Sequence, residues 1–169
     1  MLDIVALGEP LIEFNQSETL GEGVFYRLGH GGDTSNAAIA AARQGARVGY
    51  LTALGDDAFG GMFRELWARE NVDASRVIAS ATAPTGIYFV SHGEAGHVFT
   101  YRRADSAASL MVPVDLPADY IGRPSFLHVS GISQAISASA CDTVFAAIAH
   151  ARAAGVRVAY DTNLRLKLW

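Results

Sequence analysis

The stretch Gly29-His30-Gly31-Gly32-Asp33-Thr34-Ser35-Asn36 gathers side chains suited to holding a small polar ligand. Adjacent glycines let the backbone turn tightly and let a ligand come close. Asp33 brings a carboxylate to the start of the run AAIAAARQG, where it can cap free backbone N–H groups. Asn36 follows three residues later, on the same first helical turn. Carboxylate and amide together suit a polyol, because hydroxyls both donate and accept hydrogen bonds. The competing reading is a plain tight turn with a helix cap. Two phosphate-binding patterns do not fit. No lysine follows the glycines as in G-x-x-x-x-G-K-[ST], and Thr34 takes the sixth place of G-x-G-x-x-G.

A second cluster is Asp161-Thr162-Asn163-Leu164-Arg165. With a period of two, Asp161, Asn163 and Arg165 share one face just past the carboxyl edge of a sheet. An ordinary solvated strand exit competes with that reading. A third group sits on a hairpin over residues 85–104, where TGIYFVSH and HVFTYRR flank the turn Gly93-Glu94-Ala95-Gly96. Strand period puts Tyr88 and Val90 on one face, with Ile87 and Phe89 on the other. Phe99, Tyr101 and Arg103 likewise share a face. His92 and His97 flank the turn. A metal site there lacks a third ligand, so solvated turn histidines are expected.

The elements that must position these groups alternate between two rhythms. DIVALG (3–8) is a buried strand of the parallel type, with Glu9-Pro10 at its carboxyl end, where open α/β sheets collect ligands. LIEFNQ (11–16) and VFYRL (24–28) alternate and carry aromatics, joined by the turn Gly21-Glu22-Gly23. They arrive before any helix, so they belong to a small separate sheet with the 85–104 hairpin as partner, a four-stranded flap. The alanine helix stops at Gly45. RVGYLTAL (47–54) is a strand. Asp56 or Asp57 caps a helix whose stripe Phe59, Met62, Phe63, Leu66 and Trp67 reads as core, ended by Asn71-Val72-Asp73. FLHVSGI (126–132) is a buried strand ending in Gly131, with His128 as a core histidine. Ser137 or Ser139 caps a helix over 139–154, with Val144, Phe145 and Ile148 facing the core and Gly155 as the stop. VRVAYD (156–161) then closes a right-handed βαβ unit. The fold expected is α/β, a doubly wound, mostly parallel sheet over 1–10, 29–84 and 105–169, with a β-lid from 11–28 and 85–104. Three segments converge on it: Gly8-Glu9, Gly31 to Asn36, and Asp161 to Arg165. The lid, carrying Tyr88, Tyr101 and Arg103, can close over them.

The 169 residues suit one domain with a small attachment, and half are hydrophobic, enough for a sizeable core. A net charge of −4 with no basic run argues against a nucleic-acid surface. The single cysteine, Cys141, is expected to be a buried thiol, which fits a reducing, cytoplasmic setting. The start MLDIVALGEP reads as a strand, not a signal peptide, and no apolar run approaches the roughly 20 residues that span a bilayer.

On these pieces the chain resembles the ribokinase-like carbohydrate kinases. VALGEPLIEF, HGGDTSNAAIAAARQGA, LTALGDDAFG, TGIYFV, YRRADSAAS, LHVSGI and DTNLRLKLW run in that family's order over nearly all of the sequence. Gly8-Glu9, the Tyr101 to Arg103 run before Ser106-Ala107-Ala108-Ser109, and Asp161-x-Asn163-x-Arg165 resemble the branch that acts on 2-keto-3-deoxygluconate. The resemblance implies an α/β/α domain with a β-lid, transferring the γ-phosphoryl group of ATP, with Mg²⁺, to a sugar hydroxyl. It implies Gly31, Gly32, Asp33 and Asn36 as the floor for sugar hydroxyls, with Glu9 beside them. It implies Tyr88 and Tyr101 as lid contacts, Arg103 and Arg165 as partners of a substrate carboxylate, and Asn163 with Arg165 near the ATP phosphates. A planar guanidinium suits a carboxylate because it can donate two parallel hydrogen bonds. A homodimer through the lid is also implied. The family's G-A-G-D run with its catalytic Asp has no match here and is expected beyond Trp169, so the chain reads as the N-terminal part of a kinase. Two other readings stand beside it: a kinase for fructose, ribose or a nucleoside, and a catalytically silent sugar-binding module.

Overall fold

The computed structural model describes residues 1–17, 23–94 and 96–169. Along the chain run β1 (Ile4–Leu7), β2 (Pro10–Gln16), β3 (Tyr26–Gly32), α1 (Asp33–Arg43), β4 (Val48–Leu51), β5 (Ala53–Gly55) and α2 (Ala58–Arg69). After them come β6 (Val72–Asp73), β7 (Ile78–Ser80), β8 (Ile87–Gly93), β9 (Gly96–Arg102), α3 (Ala118–Ile121), β10 (Phe126–Ser130), α4 (Gly131–Ala135), α5 (Ala138–Ala153) and β11 (Arg157–Asp161). The predicted turns Gly21-Glu22-Gly23 and Gly93-Glu94-Ala95-Gly96 both include residues outside the described ones.

The main sheet is parallel, in the order β11-β10-β1-β4-β6. Successive residues of β1 serve opposite faces, as a pleated strand requires. Val5 and Leu7 pack with Leu127, Ile121, Val144 and Ala147 on the α3–α5 side. Ala6 packs with Tyr50, Ile39, Phe63 and Trp67 on the α1–α2 side. Helices thus cover both faces, the doubly wound arrangement expected from the sequence.

The second sheet has the order β3-β2-β8-β9. Two antiparallel ladders, β2 with β3 and β8 with β9, join through a parallel β2–β8 pair that sets Glu13 opposite Tyr88. One of its faces carries Leu11, Tyr88 and Val90 as a small buried cluster. The other brings Phe14 edge-on to Phe59 of α2, with ring centroids 5.8 Å apart, and so anchors this sheet to the main layers.

Several expected boundaries move, each where a long-range pairing overrides a local signal. The strand expected over 24–28 runs from Tyr26 to Gly32, because the whole glycine stretch pairs with Pro10–Glu13. RVGYLTAL breaks at Thr52: Val48–Leu51 lies beside β1, while Ala53–Gly55 pairs with β7 in a separate ladder. Val72–Asp73, expected as a stop, adds a short strand to β4 once Asn71 has turned the chain at φ 57°. FLHVSGI leaves the sheet at Ser130, and Gly131 begins α4. Met62 and Phe145 are exposed rather than core, since they fall at the edges of stripes centred on Phe63–Trp67 and Val144. Cys141 is only partly buried.

Candidate functional site

A cleft of about 340 Å³ lies between the carboxyl ends of the parallel strands and the small sheet. Its floor is built by Gly32, Asp33 and Asn36 at the junction of β3 and α1. Gly32 stands at the N-cap with φ +119°, and a Cβ there would come within 2.7 Å of the Glu9 carbonyl oxygen. Only glycine fits both demands. Asp33 is therefore the first residue inside the helix, and no side chain caps this end. Freed from the capping role expected of it, its carboxylate points into a polar knot. Oδ2 accepts from the hydroxyls of Ser130 and, at 3.0 Å, Ser133. Oδ1 is buried with no hydrogen-bond partner among the described residues. An unmatched buried acceptor of this kind is rare in folded proteins and invites a donor.

The small sheet supplies the opposite wall. Tyr88 on β8 stacks on Tyr101 and Phe99 of β9, with centroids 5.7 and 6.3 Å away, making an aromatic surface over the floor. The Tyr88 hydroxyl donates to Glu13 across the parallel pair. Burial first, and then that carboxylate, push the phenol well above its ordinary range. Gly31 lies behind this wall rather than in it, where a Cβ would come within 2.6 Å of the Tyr88 hydroxyl. It gives the ring room to lie flat.

Arg103 follows β9 directly and turns back into the cleft. Its side chain is 12% exposed and pairs with Glu9, which is 1% exposed. Ser106 donates to the other Glu9 oxygen at 2.5 Å. Burial raises the Glu9 carboxyl above its usual value, against the opposing pull of Arg103 and Ser106. At the rim stand Asn163 and Arg165. The expected alternation of Asp161, Asn163 and Arg165 does not occur, because β11 ends at Asp161. The Asn163 backbone N–H then donates to the Asp161 carboxylate at 3.0 Å and Asn163 enters the left-handed region at φ 35°. Asn163 and Arg165 reach the cleft from this turn; Asp161 does not line it.

Nine of the residues singled out in the sequence therefore line one cleft: Glu9, Gly32, Asp33, Asn36, Tyr88, Tyr101, Arg103, Asn163 and Arg165. Sequence reasoning gave no site role to Ser106, Ser130 and Ser133, which fix the two carboxylates, or to Ile132 in the wall, while Phe99, set on one face with Tyr101 and Arg103, lines the wall beside them. Ser106 and Ser130 lie inside the motif pieces YRRADSAAS and LHVSGI, the only signal they gave. His92 and His97 sit at the far end of the hairpin, Nδ1 to Nδ1 2.8 Å apart, with Asn15 on the other His92 nitrogen. No group of three metal-ligating side chains occurs among the described residues.

The molecule is a parallel α/β core with a small β-sheet facing the carboxyl ends of its strands, and the cleft between them pairs hydrogen-bond acceptors with an aromatic wall. Comparison with known proteins gives the family. The model of the pfkB family carbohydrate kinases matches residues 1–169, and the chain belongs to that family. It is 36% identical over 172 residues to a 2-dehydro-3-deoxygluconokinase of Bacillus subtilis, covering 99% of this chain and 53% of that protein. Among solved structures, a PfkB protein from Polaromonas sp. JS666 superposes with a TM-score of 0.93 at 32% identity, over all of this chain and 58% of that one. A fructokinase with bound ATP from Xylella fastidiosa superposes with a TM-score of 0.91 at 25% identity, over all of this chain and 54% of that one. The chain spans about half the length of the curated relatives it matches.

Proposed function

We propose that the protein phosphorylates a small sugar acid at the expense of ATP, with 2-keto-3-deoxygluconate (2-dehydro-3-deoxygluconate) as the substrate. The observation that carries this reading is the presence of two guanidiniums, Arg103 and Arg165, in the cleft that also holds Asp33 and Asn36. Hydroxyl-binding groups alone suit any sugar. Arginines add a partner for a carboxylate, and bidentate geometry makes such pairs strong. The similarity to 2-dehydro-3-deoxygluconokinases supports the same substrate.

In this reading Asp33 accepts a sugar hydroxyl on its unmatched oxygen, and Asn36 orients a second one. Gly31 and Gly32 let the aromatic wall and the substrate approach the floor. Tyr88 and Tyr101 cover the sugar chain, and the small sheet acts as a lid that excludes water, the competing acceptor for the phosphoryl group. ATP supplies the transferred group. Asn163 and Arg165 fit its phosphates: Arg165 is exposed, and among the described residues its guanidinium bonds only the neighbouring Leu164 carbonyl, which leaves donors over. Mg²⁺ finds no cluster of three ligands among the described residues, and the roles assigned to these side chains do not involve it. The catalytic base is assigned to no residue of this chain.

A second reading, phosphorylation of a neutral sugar such as fructose, has its own support, because Glu9 neutralises Arg103 in the cleft wall. A substrate panel scored by ADP release from the full-length gene product separates the two. The sugar-acid reading expects 2-keto-3-deoxygluconate to be preferred over fructose, ribose and adenosine. It expects Arg103→Ala to lower kcat/KM for the acid by about a hundredfold, the cost of a desolvated charge-assisted contact. Fructose preferred over the acid overturns it, and sugar binding without ADP release points to a silent module.

A further inference from the structure

The least expected feature of the cleft is its buried carboxylate. Glu9 is among the largest fully buried side chains of the molecule, and it sits at the ligand edge of the sheet. Burying a charge costs several kcal/mol unless the geometry of its partners is good. Here the partners come from one short turn. The Ser106 amide bonds the Arg103 carbonyl at 3.1 Å, with Asp105 between them at φ 59°. This turn wraps Glu9, delivering the Ser106 hydroxyl to one carboxylate oxygen and the Arg103 guanidinium to the other. The guanidinium commits a single terminal nitrogen to Glu9, and its Nε is buried without a hydrogen-bond partner among the described residues. Ser106 hydrogen-bonds one Glu9 oxygen, while the other meets Arg103 only as an ion pair and has no hydrogen-bond partner among the described residues; donors of Arg103 are left over in the wall of the cleft.

We propose that Glu9 is a positioning residue for acid substrates: it does not grip the sugar but holds Arg103 against the cleft wall so that the remaining donors meet the substrate carboxylate. The proposal rests on the sugar-acid reading above and deepens it. Without Glu9, a long side chain with a charged head at the end of an exposed strand snorkels outward to water. With Glu9, the guanidinium is fixed before substrate arrives, and less ordering is lost on binding. The raised carboxyl of Glu9 is consistent with a buried group kept for function at a cost to stability.

The test is a double-mutant cycle on the full-length gene product, with 2-keto-3-deoxygluconate and ATP as substrates. Glu9→Gln keeps the shape and can still accept from Ser106. It is expected to raise KM for the acid about tenfold, with kcat changed far less and KM for ATP unmoved, because the loss is in holding one charge-assisted contact. In an Arg103→Ala background the same substitution is expected to have almost no further effect, since Glu9 acts through Arg103. Glu9→Asp should recover part of the loss. If Glu9→Gln does not fold, Ser106→Ala, which frees one Glu9 oxygen and leaves both charges, is expected to raise the same KM several-fold. Additive effects of Glu9 and Arg103 would show that Glu9 contacts the sugar itself and overturn the proposal. So would equal losses in KM for acid and ATP, the signature of general damage. A wild type that phosphorylates the acid but ignores these variants overturns this inference alone. A wild type that phosphorylates only neutral sugars overturns the substrate reading and the inference with it.

Discussion

Asp33 lines the cleft but does not cap the helix it begins. Its type and place suggest a helix cap, yet Gly32 occupies the N-cap and the Asp33 carboxylate turns to Ser130 and Ser133. What decides this is the arrival of the β10–α4 junction, almost a hundred residues away in sequence. Because the capping role is absent, Asp33→Ala is expected to cost little stability and much binding. Sugar affinity should fall by ten- to a hundredfold, the range for losing a buried charged hydrogen-bond acceptor, while the melting temperature moves by only a few degrees. Calorimetric titration with the sugar and a thermal melt of the same sample check both halves.

At the scale of the element, α2 is the best case. Of the two aspartates the sequence offered, Asp57 caps it, accepting from the Gly60 amide at 2.8 Å, and it also takes the amide and hydroxyl of Thr85. Burial works against its charged form, but these hydrogen bonds win and hold the carboxyl below the ordinary aspartate value of 3.8. A depressed folded-state value means stability that is complete above the unfolded value and lost as pH falls below it. Asp57→Asn should therefore flatten the acid limb of melting temperature against pH, and Asp57→Ala should cost about 1 kcal/mol or more at neutral pH. The stripe along the same helix makes a sharper contrast. Phe63 is fully buried, whereas Met62 is 36% exposed. Phe63→Ala is expected to cost about 3–5 kcal/mol and Met62→Ala less than about 0.5, by denaturant unfolding. Equal costs would mean the helix is rotated from this placement.

At the scale of the molecule, the small sheet is bound to the main layers through Phe14 and the Glu9–Arg103 pair, while β9 is exposed along its length. Val98 on β9 and Leu28 on β3, at opposite edges of this sheet, are both exposed on the face that carries Phe14 and Phe89. A homodimer through the lid, which the family resemblance implies, would cover it. Light scattering of the full-length protein is expected to give twice the chain mass, and lysine at both Leu28 and Val98 is expected to halve that value.

By itself the sequence determined whatever repeats locally. The hairpin over 85–104, the two helices with a cap narrowed to Asp56 or Asp57 and to Ser137 or Ser139, the stops at Gly45 and Gly155, and the parallel strands were legible because period, cap and turn chemistry act within a few residues. The candidate site was legible as three separate clusters and a lid. Tertiary structure alone decided how those clusters meet. That β3 runs through the glycines, that β4 and β5 separate at Thr52, and that Ser106, Ser130 and Ser133 fix the carboxylates all depend on pairings between distant segments. The Glu9–Arg103 pair is the extreme case. The sequence set Glu9 at the ligand edge of the sheet and Arg103 on the lid without pairing them, and only the packing of the small sheet against the end of β1 takes both out of water and makes each the other's condition for being there.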